Sequence, residues 1–447
     1  MDTSGGGAVI TLDPNTTLAN DGSVNLFQIP PTNITTTDAG QWLSFHPLSS
    51  SIADGQSSIQ FKITNLGSRY LQLRSAYLYT RCKIVRNNGD AAETITPEHA
   101  DPQDAARRIP ASKTYDRVIP TQNFAVSLFR NLTVYLNGTQ ISHFDLLPYK
   151  AYLDIILNAP YNVQKHYLHA QLCSHEGPAS SMENLDAATD NDLNKDLQER
   201  WRRTKGSQMF ECVSRVEDDL FNLDLLLLPS VEILLEFTPT PPEFRVLCKD
   251  DLYATHKYKV VIDSFQLFVK SVSVIPSIAL SIEQRLARGD WAVYPLQGSS
   301  IQIRPIPAGT KEIVLEDLWS SRTPSKVFFC FVDANATQGK ASKSPFNFKP
   351  LNITSAELIV DGRRMKDVFD FSKETPKFMQ SYYKFLHCLG SKHVPYSYSF
   401  YSTHGFILAY QLDTSLEQGT LPPVTRSSIR LHCVLNAETD VAYNVIC

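Results

Sequence analysis

Two short stretches decide the fold: residues 132–138 read LTVYLNG, and residues 356–362 read AELIVDG. In each stretch every second residue is apolar, which is the period of a strand that buries one face. The closing Asn-Gly and Asp-Gly pairs demand positive φ and predict a tight turn between antiparallel strands. Because the two stretches stand 224 residues apart, we predict the same hairpin once in each half of the chain.

A helical pattern follows each predicted hairpin. The apolar residues that repeat at positions i, i+4, i+7 and i+8 are Tyr149, Leu153, Ile156 and Leu157 in the first half, and Phe378, Tyr382, Phe385 and Leu386 in the second. Pro148 and Pro376 stand where the first turn of a helix tolerates proline. The shared order of strand, turn and helix predicts a duplicated β domain.

The composition favours the same fold class. Among 447 residues, 43% are hydrophobic and 20% are charged, which is typical of a globular protein. Proline (26) exceeds glycine (19), and Phe and Tyr together number 42. Aromatic residues suit pleated, half-buried strands and proline suits the loops between them. We therefore predict an all-β protein made of two tandem β-sandwich domains, with one short helix per domain.

Changes in composition along the chain predict the domain boundaries. Residues 1–40 are rich in Gly, Thr, Asn and Pro and indicate an extended N-terminal arm. The first domain is predicted at residues 41–245, with polar loop insertions near 86–116 and 171–207. The second domain is predicted at residues 246–447, and the alternating strand pattern that begins at Tyr258 is assigned to it.

Charge, hydropathy and cysteine usage exclude several classes of protein. The net charge of −4 provides no basic field for binding nucleic acid. The longest apolar runs are too short to cross a bilayer, and no secretory signal opens the chain. The eight scattered cysteines contain no C-x-x-C pair. We interpret them as small hydrophobic residues of a reducing compartment.

The best candidate for a metal site is a group of histidine and cysteine residues in the first insertion-rich half. It consists of His166, His169, Cys173 and His175. All of these side chains can bind zinc, but their spacing matches no standard structural or catalytic set. We therefore interpret them as ordinary packing residues and predict no metal site.

Two charged clusters are the remaining candidates for chemistry. Glu217, Asp218 and Asp219 could supply an acid/base pair, but they directly precede an apolar run, where charges commonly mark a solvated strand edge. The run at residues 199–203, with Arg215 beyond it, is interpreted as a solvated loop, with a contact to a neighbouring subunit or nucleic acid as the alternatives. We predict no catalytic, cofactor-binding or metal-binding residues, and no enzymatic activity.

A series of short strings, in a fixed order, carries a family resemblance. They read NLFQIPPT (25–32), GQWL (40–43), HPL (46–48), PYKAY (148–152), DLF (219–221), LFVK (267–270), PS (276–277), IPAG (306–309), FVD (331–333), KSPFNF (343–348) and VDG (360–362). With them the chain, from about residue 23 to its end, resembles the hexon-type major capsid proteins of Polinton/Maverick elements and adintoviruses. PFNF and IPAG are the most specific parts.

The resemblance implies a double jelly roll, that is, two tandem jelly-roll domains. It further implies homotrimers of pseudo-hexagonal outline that tile an icosahedral shell, with neighbouring capsomers and penton or minor capsid proteins as partners. It implies a location in the virion capsid after assembly in the nucleus or cytoplasm of a host cell, and it brings no catalytic residue or cofactor. The insertions at 86–116 and 171–207 are expected to form trimer contacts and the outer crown. The arm is expected to reach a neighbour or to face the interior.

Two alternatives belong to other functional classes. Jelly rolls also occur in carbohydrate-binding and hydrolytic β-sandwich proteins, because a fold alone does not determine function. A capsid gene that a host genome has retained for a non-viral interaction would carry the same strings. The oligomeric state separates the first alternative from a shell subunit.

Overall fold

The structure is a computed structural model. It describes residues 35–48, 57–64, 67–97, 99–100, 108–109, 111–159, 168–173, 182–183, 185, 195–296, 298–319, 322–365, 368–372, 377–389, 394, 396–412 and 425–447.

The first half of the chain forms a sandwich of two four-stranded antiparallel sheets. Its strands are Gln41–Phe45 (β1), Ile59–Ile63 (β2), Tyr70–Arg86 (β3), Phe129–Leu136 (β4), Thr139–Phe144 (β5), Phe210–Arg215 (β6), Ile233–Pro239 (β7) and Tyr258–Val272 (β8). One sheet has the order β1-β8-β3-β6 and the other has the order β5-β4-β7-β2. Eight strands divided between two sheets in this way form a jelly roll.

The second half repeats this architecture. Its strands are Ile303–Ile306 (β9), Glu312–Leu318 (β10), Lys326–Asp333 (β11), Ile353–Val360 (β12), Arg363–Arg364 (β13), Ile407–Gln411 (β14), Ile429–Leu435 (β15) and Tyr443–Ile446 (β16). The sheet orders are β9-β16-β11-β14 and β13-β12-β15-β10, and Phe369–Asp370 pairs with β12 as well. Adding eight to each strand number of the first sandwich gives the second, so the predicted double jelly roll is confirmed.

One long strand that the sequence assigned to the second domain belongs to the first. Residues 258–272, assigned from their alternation to the second half, form β8, which pairs with β3 along nearly its whole length and also with β1. Val260, Phe265 and Leu267 on this strand are buried in the first core. Alternation identifies a strand but carries no information about its partner, and the proline-rich break at 239–242 ends β7 rather than the domain.

Each predicted tight turn is built in the same way. Asn137 and Asp361 adopt φ values of 47° and 50°, and Gly138 and Gly362 follow at 79° and 73°. The Asn137 amide donates to the Glu232 carbonyl, and its side-chain oxygen accepts from the Glu232 amide, both at 2.9 Å.

Asp361 makes the same pair of bonds to Ser428, at 2.9 and 2.8 Å. Glu232 and Ser428 stand directly before β7 and β15, so each turn is fastened to the start of the neighbouring strand.

The helices lie in the long connections. The longer ones are Leu147–Asn158 (α1), Lys195–Thr204 (α2), Pro276–Ala287 (α3) and Met379–Cys388 (α4). Shorter α-helices span Phe124–Ser127, Pro242–Arg245, Asp250–His256, Ala334–Gln338 and Tyr398–Tyr401. Single turns of 3-10 helix span Leu168–Gln171, Lys205–Ser207 and Asp219–Asn222.

The two helices predicted from the apolar stripes are α1 and α4. The prediction of one helix per domain was too low, because each half of the chain contains more than one. None of the described helices is long and apolar enough to span a bilayer.

The connection from β3 to β4 carries small hairpins of its own. Glu93–Thr96 pairs with Ser112–Tyr115, and His99–Ala100 pairs with Arg108–Ile109. Ile119–Pro120 pairs with Val246–Leu247. In the portions that the structure describes, the predicted loop at 86–116 therefore contains short strands, and its hairpin packs against the turn at Lys205–Ser207.

The structure describes only the last six residues of the predicted arm. Residues 1–34 lie outside the described residues, whereas Thr35–Gly40 runs beside the end of β8. Thr36 bridges Val274, and the Thr37 amide donates to the Ser273 carbonyl at 2.8 Å. Asp38 pairs with Arg69 at 2.9 Å. The chain is thus fixed to the first jelly roll before β1 begins.

Candidate functional site

The histidine and cysteine residues that were considered for zinc are used in packing where the structure describes them. His169 lies 2.5 Å from a carboxylate oxygen of Glu199, and the buried thiol of Cys173 contacts the Gln122 amide at 3.8 Å. Burial raises the pKa of Cys173 to about 12, so it remains a thiol. His166 and His175 lie outside the described residues, and the described part of the chain contains no group of three or more residues placed to hold a metal.

The acidic run at 217–219 is not the solvated strand edge that the sequence suggested. Asp218 is buried, accepts from the Leu220 amide at 2.9 Å and bonds the hydroxyl of Ser142. The carboxylate thereby caps a 3-10 turn and fastens it to β5.

A buried lysine organises the rest of this acidic cluster. The ammonium of Lys150 on α1 lies 2.9 Å from Asp154 and 3.4 Å from Asp219. Burial disfavours the charge on Lys150, but these two carboxylates outweigh it and raise the pKa of the lysine. Burial, with the Asp154 charge adding to it, raises the pKa of Glu217 to about 7. These charged groups therefore form part of the contact between α1 and the 3-10 turn that precedes β7.

The charged run at 199–203 was wrongly interpreted as a solvated loop, since it lies on α2. Arg200 is buried and donates to the Pro120 carbonyl at 2.6 Å. The Trp201 indole donates to the Asp116 carbonyl at 3.0 Å. Arg203 donates to the carbonyl of His169 at 3.1 Å and pairs with Glu199. These groups pin α2 onto the first jelly roll.

The most consequential arrangement is the junction between the two jelly rolls, which α1 fills. Tyr152 packs its ring 4.5 Å from Phe346 and 5.6 Å from Phe348, measured between centroids. Leu147 and Ala151, on another face of the helix, belong to the first core. The helix has almost no exposed residue and joins both cores, which no periodicity in the sequence could have shown.

Further contacts join the halves beside α1. The Cys248 amide donates to the Ala341 carbonyl at 2.9 Å, and Lys340 pairs with Asp250 at 3.2 Å. Phe244 lies against Phe346. On the second jelly roll, these contacts are all made by the β11–β12 connection, which contains the KSPFNF string.

Helix α4 is the counterpart of α1 but has an uncovered face. Both helices follow the fifth strand of their jelly roll, and both begin after a residue with left-handed φ, Leu146 at 63° and Phe378 at 68°. Phe385 of α4 is buried in the second core. Met379 and Tyr383, one turn apart, are 43% and 68% exposed. Gln380 and His387 are exposed on the helix as well, so its outer surface is partly apolar and partly polar, as many protein contact surfaces are.

A second exposed apolar stretch lies in the connection between the jelly rolls. No residue of α3 is buried, and Ile278, Leu280 and Leu286 are exposed. Beyond it, Trp291 is 91% exposed. Like α4, this stretch leaves apolar surface in water that a protein partner would cover.

Of the comparisons with known proteins, the one with solved structures bears on the fold. No family model matches the sequence. The uncharacterized protein F54H12.2 of Caenorhabditis elegans is 22% identical over 414 residues, which cover 86% of this chain and 90% of that protein.

Two solved viral structures are similar over nearly the whole chain. A chain in the Sputnik virophage structure has a TM-score of 0.59 at 10% identity, with 97% of this chain and 90% of that chain covered. The Faustovirus major capsid protein has a TM-score of 0.50 at 9% identity, with coverages of 97% and 91%. These likenesses establish the tandem jelly-roll fold, and at such low identities they show the fold alone.

Proposed function

We propose that this chain is the major capsid protein of an icosahedral shell and has no enzymatic activity. The observation that carries the proposal is the exact repetition of strand order in the two halves, joined through α1 into one two-domain block. Similarity to viral chains over almost the full length supports it. Two packed sheets resist bending while their loops vary freely, which suits a shell subunit.

The capsomer is a homotrimer in this proposal. Three chains supply six similar jelly rolls, so an object with threefold symmetry fills a sixfold position in a lattice. Obligate interfaces of this kind bury roughly 2,000–5,000 Å² or more. The exposed apolar faces of α3 and α4 are surfaces of the kind that such contacts cover. Neighbouring capsomers and penton or minor capsid proteins are the further partners, and the virion capsid, assembled inside a host cell, is the location.

The finer assignment to the Polinton/Maverick and adintovirus group rests on the sequence strings. Two of these strings lie at positions where the backbone conformation or the packing restricts the choice of residue. IPAG spans the end of β9 and a turn in which Gly309 adopts a φ of 80°. PFNF places Phe346 and Phe348 in the junction between the jelly rolls. We propose this membership on those two strings and on the order of the others.

We propose the following division of the chain. Residues 1–40 form the arm and residues 41–272 form the first jelly roll, with the 86–116 and 171–207 insertions at its periphery. Residues 273–302 connect the domains, and the second jelly roll follows to residue 447. Strand pairing supports moving the boundary past β8.

Light scattering coupled to size-exclusion chromatography tests the proposal. A trimer has a mass of about 150 kDa, three times the 50.2 kDa of one chain. A particle of that mass is expected at micromolar concentration. A stable monomer would contradict the capsomer, and it would favour the carbohydrate-binding or hydrolytic β-sandwich, which can function as a single chain.

A further inference from the structure

Helix α3 carries an apolar stripe that the first jelly roll covers only in part. Ile278, Ile282 and Leu286 follow one another at intervals of four residues and therefore lie on one side of the helix. Ile282 packs against a small cluster of buried residues of the first jelly roll, which are Tyr70, Val272 and Val274. Ile278 and Leu286 are 37% and 38% exposed. Water therefore still reaches both ends of this stripe.

The N-terminal arm meets the first jelly roll beside the beginning of α3. The amide of Ile275, the residue before the helix, donates to the Thr35 carbonyl at 3.2 Å, and Thr36 bridges Val274 in antiparallel sense. In an antiparallel pair, lower residue numbers of one segment lie beside higher numbers of the other. Upstream of Thr35 the chain therefore points in the direction in which the other segment enters α3 at Pro276.

The part of the arm next to this point is apolar and long enough to follow the helix. Residues 26–34 read LFQIPPTNI, and their large apolar side chains are Leu26, Phe27, Ile29 and Ile34. From Thr35 back to Ile29 the chain can span at most about 20 Å. Helix α3 rises about 15 Å from its first residue to Leu286. Ile29 can therefore reach the far end of the stripe.

We infer that residues 26–34 pack on the Ile278–Leu286 stripe of α3 in the same chain. The base of the arm is fixed close to this stripe, because Asp38 pairs with Arg69 at 2.9 Å and accepts from the Ser273 amide at 3.3 Å. A segment tethered by a short linker has an effective concentration in the millimolar range. That concentration is far above the concentration of free chains in a micromolar solution, so the chain's own arm occupies the stripe before the arm of a second copy can.

This packing goes beyond the proposed function and does not depend on it, because both partners belong to one chain. Burial of apolar side chains on both sides provides the driving force. With the stripe covered by the arm, the apolar surface that this connection leaves to a neighbouring chain is chiefly that of Leu280, Trp291 and Val293, which are exposed.

Hydrogen exchange of the full chain, measured by mass spectrometry, tests the contact. In the triple variant Leu26→Ser/Phe27→Ser/Ile29→Ser, residues 276–287 are expected to exchange roughly tenfold faster than in the wild type or more, because an uncovered helix opens more readily. The control Val9→Ser/Ile10→Ser replaces apolar residues farther upstream in the arm and is expected to leave the exchange of α3 unchanged. Equal exchange of α3 in the wild type and the triple variant would overturn the inference.

Cross-linking distinguishes packing within one chain from packing between chains. The eight native cysteines are all buried, so a short bismaleimide reports on introduced ones. Ile29→Cys/Leu286→Cys is expected to give a linked peptide pair from a band of monomer mass. The control Ile29→Cys/Val314→Cys, which uses an exposed apolar position on β10, is expected to give none.

Co-expressed chains that carry only one of the two introduced cysteines each, at Ile29 or at Leu286, complete the test. Cross-linked dimers from these chains would show that the arm packs on a neighbour and would overturn the inference. Light scattering keeps the two proposals apart. A trimer whose α3 exchange is insensitive to the triple variant overturns the inference alone, whereas a wild-type monomer overturns the proposed function alone.

Discussion

At the scale of single residues, Asn137 and Asp361 play the same structural role in the two halves. Each adopts positive φ and fastens its turn to the strand that lies beside it. Asparagine and aspartate tolerate the left-handed region and carry the side-chain acceptor that the fastening requires. The sequence predicted these turns because dipeptides with this conformational demand are few. It could not predict the hydrogen-bond partners, which lie far away along the chain.

Replacing Gly362 with alanine tests the backbone demand of this turn. The residue has a φ of 73° and nothing within 4 Å of an added Cβ, so only conformational strain changes. We expect the free energy of unfolding to fall by about 1 kcal/mol, from the cost of left-handed φ less the entropy that alanine removes from the unfolded chain. Urea denaturation measures the change. Gly298→Ala, where φ is not left-handed, is the control and should cost nothing.

His432 predicts how stability depends on pH. Its ring nitrogens lie 2.9 Å from Glu357 and 2.6 Å from Glu312. The hydrogen bond to Glu357, helped by Glu312 and opposed by burial, raises the pKa of the histidine. Because the folded pKa lies above the unfolded one, the stabilisation is complete below about pH 6.5 and is lost as the pH rises through the folded value.

Denaturation at about pH 5.5 and about pH 8.5 measures this loss. His432→Gln is expected to remove part of the difference in unfolding free energy between the two conditions. The same difference in the variant and in the wild type would show that His432 contributes none of it.

At the scale of elements, the local patterns predicted the hairpins, α1 and α4, because the periods of strands and helices depend on residues that are close together in the sequence. They misplaced β8, whose partner lies in the first half, and they missed α2. In α2 the buried residues include Arg200 and Asp196, and its inner face has only Leu197 and Trp201 as an apolar stripe, which is too short to reveal the helix. Tertiary hydrogen bonds hold that helix, and their partners are remote in sequence.

A double-mutant cycle tests α1 as the brace between the jelly rolls. Tyr152→Leu and Phe346→Leu each remove one ring of the closest aromatic pair in the junction. We expect a coupling free energy of about 0.5–1.5 kcal/mol, the usual range for aromatic pairs. Tyr152→Leu combined with Phe61→Leu, in the first core, should be additive. Additivity in the Phe346 cycle would mean that the rings do not interact.

At the scale of the whole molecule, the tandem repetition explains why one chain suits a shell. Two copies of one architecture are joined through α1, which packs into both cores. The sequence indicated the duplication and the family resemblance. It could not show that α1 is covered on both sides while α4 leaves Met379 and Tyr383 exposed, because burial between domains depends on packing that no local pattern records.

Electron microscopy of particles purified from cells that express the chain tests the central claim most directly. We predict closed icosahedral shells whose capsomers have hexagonal outlines and threefold symmetry, with six jelly-roll densities in each. Preparations that contain only single two-lobed molecules, with neither trimers nor shells, would contradict the assignment of this protein as a shell subunit.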